Sequence, residues 1–424
     1  MTPEQVAQVQ ASFQKVALRP KKRLVVVGNG TAAIRTLEAL LSRAPRRYDV
    51  TVVGAEPHPN YNRILLSAVL AGEKTMDEII IHPHAWYAEH GVRLLTGDPV
   101  TAIDRTANTV SIAGAGAAVP YGKLLLTTGS TPLAPPIPGL DLPGVRAFRD
   151  IADAETMIAT SKRHRRAIVI GGGLLGLEAA WGLRRRGMAV AVVHLMPTLM
   201  ERQLDITAGE MLRCDLHARG IKFFTNAQTE AILGTERAVG VRLADGRQIA
   251  GDLVVIAMGI RPNVNLAAAA GLDVNRGILV GDDMRTSDPK IYAVGECIEH
   301  NGQVFGLVAP IWEQARVCGA RLAGDEAAVY LPSPVVTSLK ITGVSVFSAG
   351  ALAAEDTVDE ELALHDPRHG IYKKLVLRDG RIVGCVLYGD VADGSWYFEL
   401  MRDEADVSPF RERIVFGRDF AEAA

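Results

Sequence analysis

Apolar positions along the chain follow two rhythms, and the points where one gives way to the other mark out the elements. Residues 1–20 carry Val6, Val9, Phe13 and Val16 at spacings of three and four, which predicts one short amphipathic helix ended by Pro20. At residues 24–27 the rhythm becomes an unbroken apolar run, followed by a glycine-rich turn, a helix through about Ala44 and a second apolar strand over 49–53. Short apolar runs alternating with a helix predict a βαβ unit and a buried parallel sheet. The same grammar returns at 167–170, with a second glycine turn, a helix ending near Arg186 and Gly187, and a strand over 189–193. Two such starts predict two dinucleotide-binding domains.

The remaining pattern divides the chain further. Residues 124–126 form a buried strand that stops in Thr127, Thr128 and Gly129, and 131–144 is rich in Pro and Gly, the composition of a crossing. Residues 253–257 repeat this strand and stop, ending in Met258 and Gly259, with a second crossing near Arg261, Pro262 and Asn263. Beyond Pro332-Ser333-Pro334 the pattern is strand-rich, with runs at 373–377 and 382–388 around a turn at Asp379-Gly380. The expected fold is α/β: two Rossmann-like domains plus a smaller C-terminal α+β domain.

Length and charge narrow the functions this pattern permits. A chain of 424 residues is too long for one ordinary core and suits two or three domains. Formal net charge is -2, without the basic excess of a nucleic-acid or anionic-membrane binder. No apolar run reaches the ~18 residues of a membrane span, and the first twenty residues lack a signal peptide's apolar stretch, so the expected location is the cytoplasm. Cys214, Cys297, Cys318 and Cys385 stand singly, which indicates neither a metal site nor a disulfide framework.

The chemistry is concentrated at three places. Gly28-Asn29-Gly30-Thr31-Ala32-Ala33 follows a strand and opens a helix: Gly28 allows the tight turn, Gly30 lets backbone approach a pyrophosphate, and Ala33 permits helix-on-strand contact. Glu56, at the end of the second strand, suits a ribose diol. Gly171-Gly172-Gly173-Leu174-Leu175-Gly176 repeats the logic, with Glu178 two residues further along its helix. Here the second strand ends at His194 instead of an acid, and no arginine immediately follows it, so NADH is favoured with NADPH tolerated. Residues 286–296 make a turn and a strand ending in Gly295-Glu296, and an acid there can accept hydrogen bonds from a flavin's ribityl hydroxyls.

With these motifs in order, together with 126–129 and 257–263, the chain resembles the pyridine-nucleotide-disulfide oxidoreductases. The resemblance implies an FAD domain over 22–135 and 265–325, an NAD(P) domain inserted at 136–264, an interface domain at 330–424, and an N-terminal extension at 1–21. It implies FAD contacts from Thr31, Ala32, Thr128, Gly129, Ala309 and Arg63, and nucleotide contacts from Leu174, Leu175 and Gly259. Glu178 and Arg63 become the candidate catalytic side chains, with Glu178 near the nicotinamide. The stretches at 60–67, 194–205, 306–310 and 388–400 look like the flavin module of the NAD(P)H nitrite reductase large subunit and of assimilatory nitrate reductase electron-transfer subunits. No cysteine lies in 60–70, so the dithiol relay of the disulfide reductases is not expected. Nor are cluster ligands present, which leaves only the electron-input half of nitrite reduction.

The expected activity is therefore hydride transfer from NAD(P)H to FAD and discharge to a protein acceptor, a haem or iron-sulfur protein of nitrogen-oxide metabolism. A homodimer through the C-terminal domain accompanies it. Residues 1–16 resemble the first helix of single-domain haemoglobins, which adds such a haemoglobin to the expected acceptors. The alternatives are a ferredoxin or rubredoxin reductase and a non-catalytic redox-sensing flavoprotein.

Overall fold

Valine and leucine dominate the strand Lys22–Val27, whose last four residues are buried, and buried β-branched runs of this kind build parallel sheets covered on both faces. The computed structural model describes residues 21–422 apart from 115, 333–335, 342 and 355–357; the helix expected over 1–20 lies outside the described residues. The chain divides into two units, one made of 1–61, 80–130 and 262–331, the other of 62–79, 131–261 and 332–424.

In the first unit a five-stranded sheet runs in the order Ile291–Ala293, Lys123–Leu126, Lys22–Val27, Tyr48–Gly54, Val92–Thr96, with every pairing parallel. The helix Thr31–Arg43 turns Ala33, Ile34, Leu37 and Leu40 inward, at the spacing of one helical face. The helix Val308–Ala323 packs beside it at Gly319, where an added Cβ would lie 2.6 Å from that of Ala39. Only a glycine permits so close an approach.

The second unit holds another five-stranded parallel sheet, in the order Val145–Ala147, Leu253–Ile256, Arg166–Ile170, Ala189–Val193, Ile221–Phe224. The helix Leu174–Arg185 follows its central strand. Residues 62–79 join this unit through the helix Leu66–Ala71: Gly182 leaves room for Leu70, and the Arg186 guanidinium donates to the carbonyls of Leu70 at 2.5 Å and Val69 at 2.9 Å. The C-terminal part is a five-stranded antiparallel sheet, covered by the helix Gly394–Arg402. Buried Lys374 pairs with Asp205 at 2.9 Å, and the Tyr372 hydroxyl donates to the same carboxylate at 2.7 Å. Asp205 also caps the helix Ile206–Ala218 by accepting from the Ala208 N–H, so one side chain ties the antiparallel sheet to the nucleotide-type fold.

Candidate functional site

Parallel strands end at the same edge of a sheet, and in such sheets ligands bind outside those carboxyl ends. In the first unit the edge gathers Gly28, Glu56, Thr128 and the Gly295-Glu296 pair, each just past its strand. Gly28 has φ +107, and a Cβ there would lie 2.2 Å from the Thr127 carbonyl oxygen, so the turn tolerates no side chain at this position. Gly30, the N-cap of the helix Thr31–Arg43, faces open space. A bare helix N-terminus beside open space is an anion site.

The groups around this turn are held in place. The Tyr87 hydroxyl donates to Asn29 Oδ1 at 2.7 Å and Asn60 Nδ2 to the Asn29 carbonyl at 3.0 Å, while Asn29 Nδ2 is a buried donor without a partner among the described residues. An unmet buried donor costs about 1–3 kcal/mol, which a phosphate oxygen would offset. Tyr61 donates to Glu56 at 2.7 Å and Ser130 to Glu296 at 2.6 Å, fixing both carboxylates. Thr128 and Asn263 exchange two hydrogen bonds at 2.8 Å. Ala33 is fully buried in the core and serves packing. Ala309 lies in the first turn of Val308–Ala323, a turn without acidic residues.

The second unit repeats the construction. A Cβ on Gly171 would lie 2.1 Å from the Ala257 carbonyl, and one on Gly176 would lie 2.1 Å from the Gly171 carbonyl, so both glycines exist for close packing. Gly173 caps the helix Leu174–Arg185 and faces open space, with Leu175 exposed beside it. Gly259 also opens to solvent. His194 is buried and accepts the Gly172 N–H at 3.1 Å. Arg63 donates to the Arg149 carbonyl at 3.1 Å.

Glu178 is partly buried, and desolvation pushes its carboxyl up to about 7, the Ser67 hydroxyl offsetting part of the rise. The carboxyl titrates near 4.5 when unfolded, so the folded state binds the extra proton between these values. The stability this group contributes is full below 4.5 and lost as pH rises through about 7. Glu178→Gln is therefore expected to be more stable than the parent by about 3 kcal/mol above that range and equal to it below. Urea unfolding at about pH 4 and about pH 8 measures the difference; an unchanged pH slope would contradict it.

The thiols offer no competing chemistry. Cys297, Cys318 and Cys385 are buried and Cys214 exposed, none in a disulfide, and desolvation raises all four. Among the described residues no three His, Cys, Asp or Glu side chains are placed to hold a metal. No described helix is long and apolar enough to cross a membrane. Sequence spacing gave no signal for Tyr87 or Ser130, which reach their sites through tertiary contacts; Asn29, Ser67 and Glu201, which meets His194 at 3.1 Å, lie within stretches the sequence singled out but had no role assigned to their side chains.

The sequence profile described as "Pyridine nucleotide-disulphide oxidoreductase" matches residues 22–320, and "Rubredoxin NAD+ reductase C-terminal domain" matches 334–405. Nitrite reductase [NAD(P)H] of Bacillus subtilis is 50% identical over 92% of this chain and 48% of its own length. The assimilatory nitrate reductase electron transfer subunit of the same organism is 42% identical over 93% and 51%. The chain thus spans about half the length of these relatives. A chain of the covalent putidaredoxin reductase–putidaredoxin complex superposes with a TM-score of 0.83 at 25% identity, covering 92% of this chain and 95% of that one.

Proposed function

The chain belongs to the pyridine nucleotide-disulphide oxidoreductase family, and from that premise we propose that it is an FAD-dependent NAD(P)H oxidoreductase that passes electrons to a protein acceptor in nitrogen-oxide metabolism. The observation that carries the proposal is the pair of glycine turns, each at the carboxyl edge of its own parallel sheet and each with one open glycine capping a helix.

FAD belongs to 22–135 with 265–325. The turn at Gly28 and Gly30 and the helix behind Thr31 and Ala32 take the pyrophosphate, with Asn29 Nδ2 as a further donor. Glu56, steadied by Tyr61, accepts from the ribose, and Glu296, steadied by Ser130, accepts from the ribityl chain. Thr128, Gly129, Gly295 and Ala309 supply backbone, and the positive end of the helix Val308–Ala323 favours negative charge beside it. FAD held there would supply the chemistry the side chains lack, hydride acceptance and onward electron transfer.

NAD(P)H belongs to 136–264, on Gly171, Gly173, Leu174, Leu175, Gly176, His194 and Gly259. Glu178, with a carboxyl near neutrality, holds or releases a proton where the nicotinamide is handled, and Arg63 serves on the flavin side. The acceptor is a haem or iron-sulfur protein, because no paired cysteines stand ready to store the electrons. A nitrate or nitrite reductase component fits the relatives at 50% and 42% identity; a single-domain haemoglobin is the other candidate. Homodimerisation through 330–424 and a cytoplasmic location complete the proposal. The rubredoxin-reductase match over 334–405 supports a second reading, in which the acceptor is a ferredoxin or rubredoxin.

NADH-reduced holoprotein mixed rapidly with a ferric haem protein, an iron-sulfur protein and glutathione disulfide separates these outcomes. Fast reoxidation by a protein acceptor is expected. Disulfide reduction at a comparable rate, or indifference to every protein acceptor, would overturn the acceptor assignment.

A further inference from the structure

We propose that Glu201, positioned by His194, is the carboxylate that selects NADH over NADPH, replacing the acid that the strand Ala189–Val193 lacks at its end. The inference rests on the assignment of the second glycine turn as the nicotinamide-nucleotide site. A βαβ unit tells the coenzymes apart with a carboxylate that accepts from the ribose 2′-hydroxyl and repels a 2′-phosphate. His194, at the expected position, brings no negative charge.

The chain after His194 doubles back onto the glycine turn. The Met200 N–H donates to the Gly172 carbonyl at 3.1 Å, with Met200 at φ +53, so Glu201 is anchored one residue from a backbone bond to that turn. His194 is itself fixed, its own N–H donating to the Phe224 carbonyl at 2.8 Å. Because its Nδ1 accepts the Gly172 N–H, the ring proton sits on Nε2, which donates to Glu201 Oε2 at 3.1 Å. One imidazole thereby links the turn that would bind the pyrophosphate to a carboxylate. The Glu201 side chain is 31% exposed, and a carboxylate has about four lone-pair sites, so accepting from His194 leaves capacity for a ribose diol. Exposed Leu195 and Met196 flank the same loop and offer apolar surface to an adenine. The competing charge is Arg202, exposed and next in the chain.

The test is anaerobic flavin reduction of the FAD-loaded protein by NADH and by NADPH, for the parent and for Glu201→Gln, Glu201→Asp, His194→Ala and Arg202→Ala. Glutamine still accepts from His194 Nε2, so Glu201→Gln removes charge without removing the contact. It is expected to lower the NADH:NADPH preference about tenfold, the scale of one charge-assisted hydrogen bond, with the loss falling on apparent Kd more than on the saturating rate. Glu201→Asp should keep most of the preference, and His194→Ala should shift it in the same direction as Glu201→Gln. A parent reduced by NADH whose preference is unchanged in Glu201→Gln, or moved only in Arg202→Ala, overturns the inference alone. A parent whose flavin neither coenzyme reduces overturns the site assignment, and the inference with it.

Discussion

Gly30→Val is expected to yield a folded but colourless protein. An added Cβ at Gly30 meets nothing within 4 Å, and the residue sits at φ -82, a conformation valine adopts without strain. The Cβ itself meets no obstacle, and the apoprotein should lose only about 1 kcal/mol, the scale of placing valine at a helix N-cap where glycine is preferred. The open space beside Gly30 is the path of the proposed pyrophosphate, and filling it should weaken FAD binding by about 100-fold or more, as ~3 kcal/mol of overpacking implies. The flavin spectrum after reconstitution checks this. Gly28→Val provides the contrast, since its Cβ would strike the Thr127 carbonyl at 2.2 Å and the fold itself should suffer. A Gly30→Val protein with a full flavin spectrum would remove FAD from this turn.

Gly173→Val should do the reverse, keeping FAD while abolishing its reduction by NADH. Gly173 also faces open space, at the N-cap of Leu174–Arg185, so the substitution spares the protein and obstructs only the nucleotide. The apparent Kd for NADH should rise by about 100-fold on the same overpacking argument, while dithionite still bleaches the flavin. Loss of flavin in this variant would mean that the two turns exchange roles.

The parts of the fold legible in the sequence are those fixed by local pattern. The apolar runs at Leu24 and Ile168, each followed by a glycine turn, give both parallel sheets, because short buried strands and tight turns are encoded within a few residues. Tertiary placement was less accessible. Nothing local shows that 62–79 cluster with the second glycine turn, since that follows from Leu70 filling the gap at Gly182 and from Arg186 capping the carbonyls of Val69 and Leu70. The same limit governed the site. Gly28, Gly30, Glu56, Gly171, Gly173 and Glu296 announce themselves by their positions after strands, whereas Asn29, Tyr87 and Ser130 matter through contacts across 58 and 166 residues of chain. His194 was legible as a missing acid, but the carboxylate beside it comes from a loop that returns through the Met200 backbone.

The most direct test of the central claim is anaerobic titration of the FAD-loaded protein with NADH, followed in the flavin absorbance. The account predicts complete bleaching at one equivalent of NADH per FAD, with NAD+ released in equal amount and colour restored by a protein electron acceptor. A flavin that dithionite reduces but excess NADH leaves oxidised would contradict it.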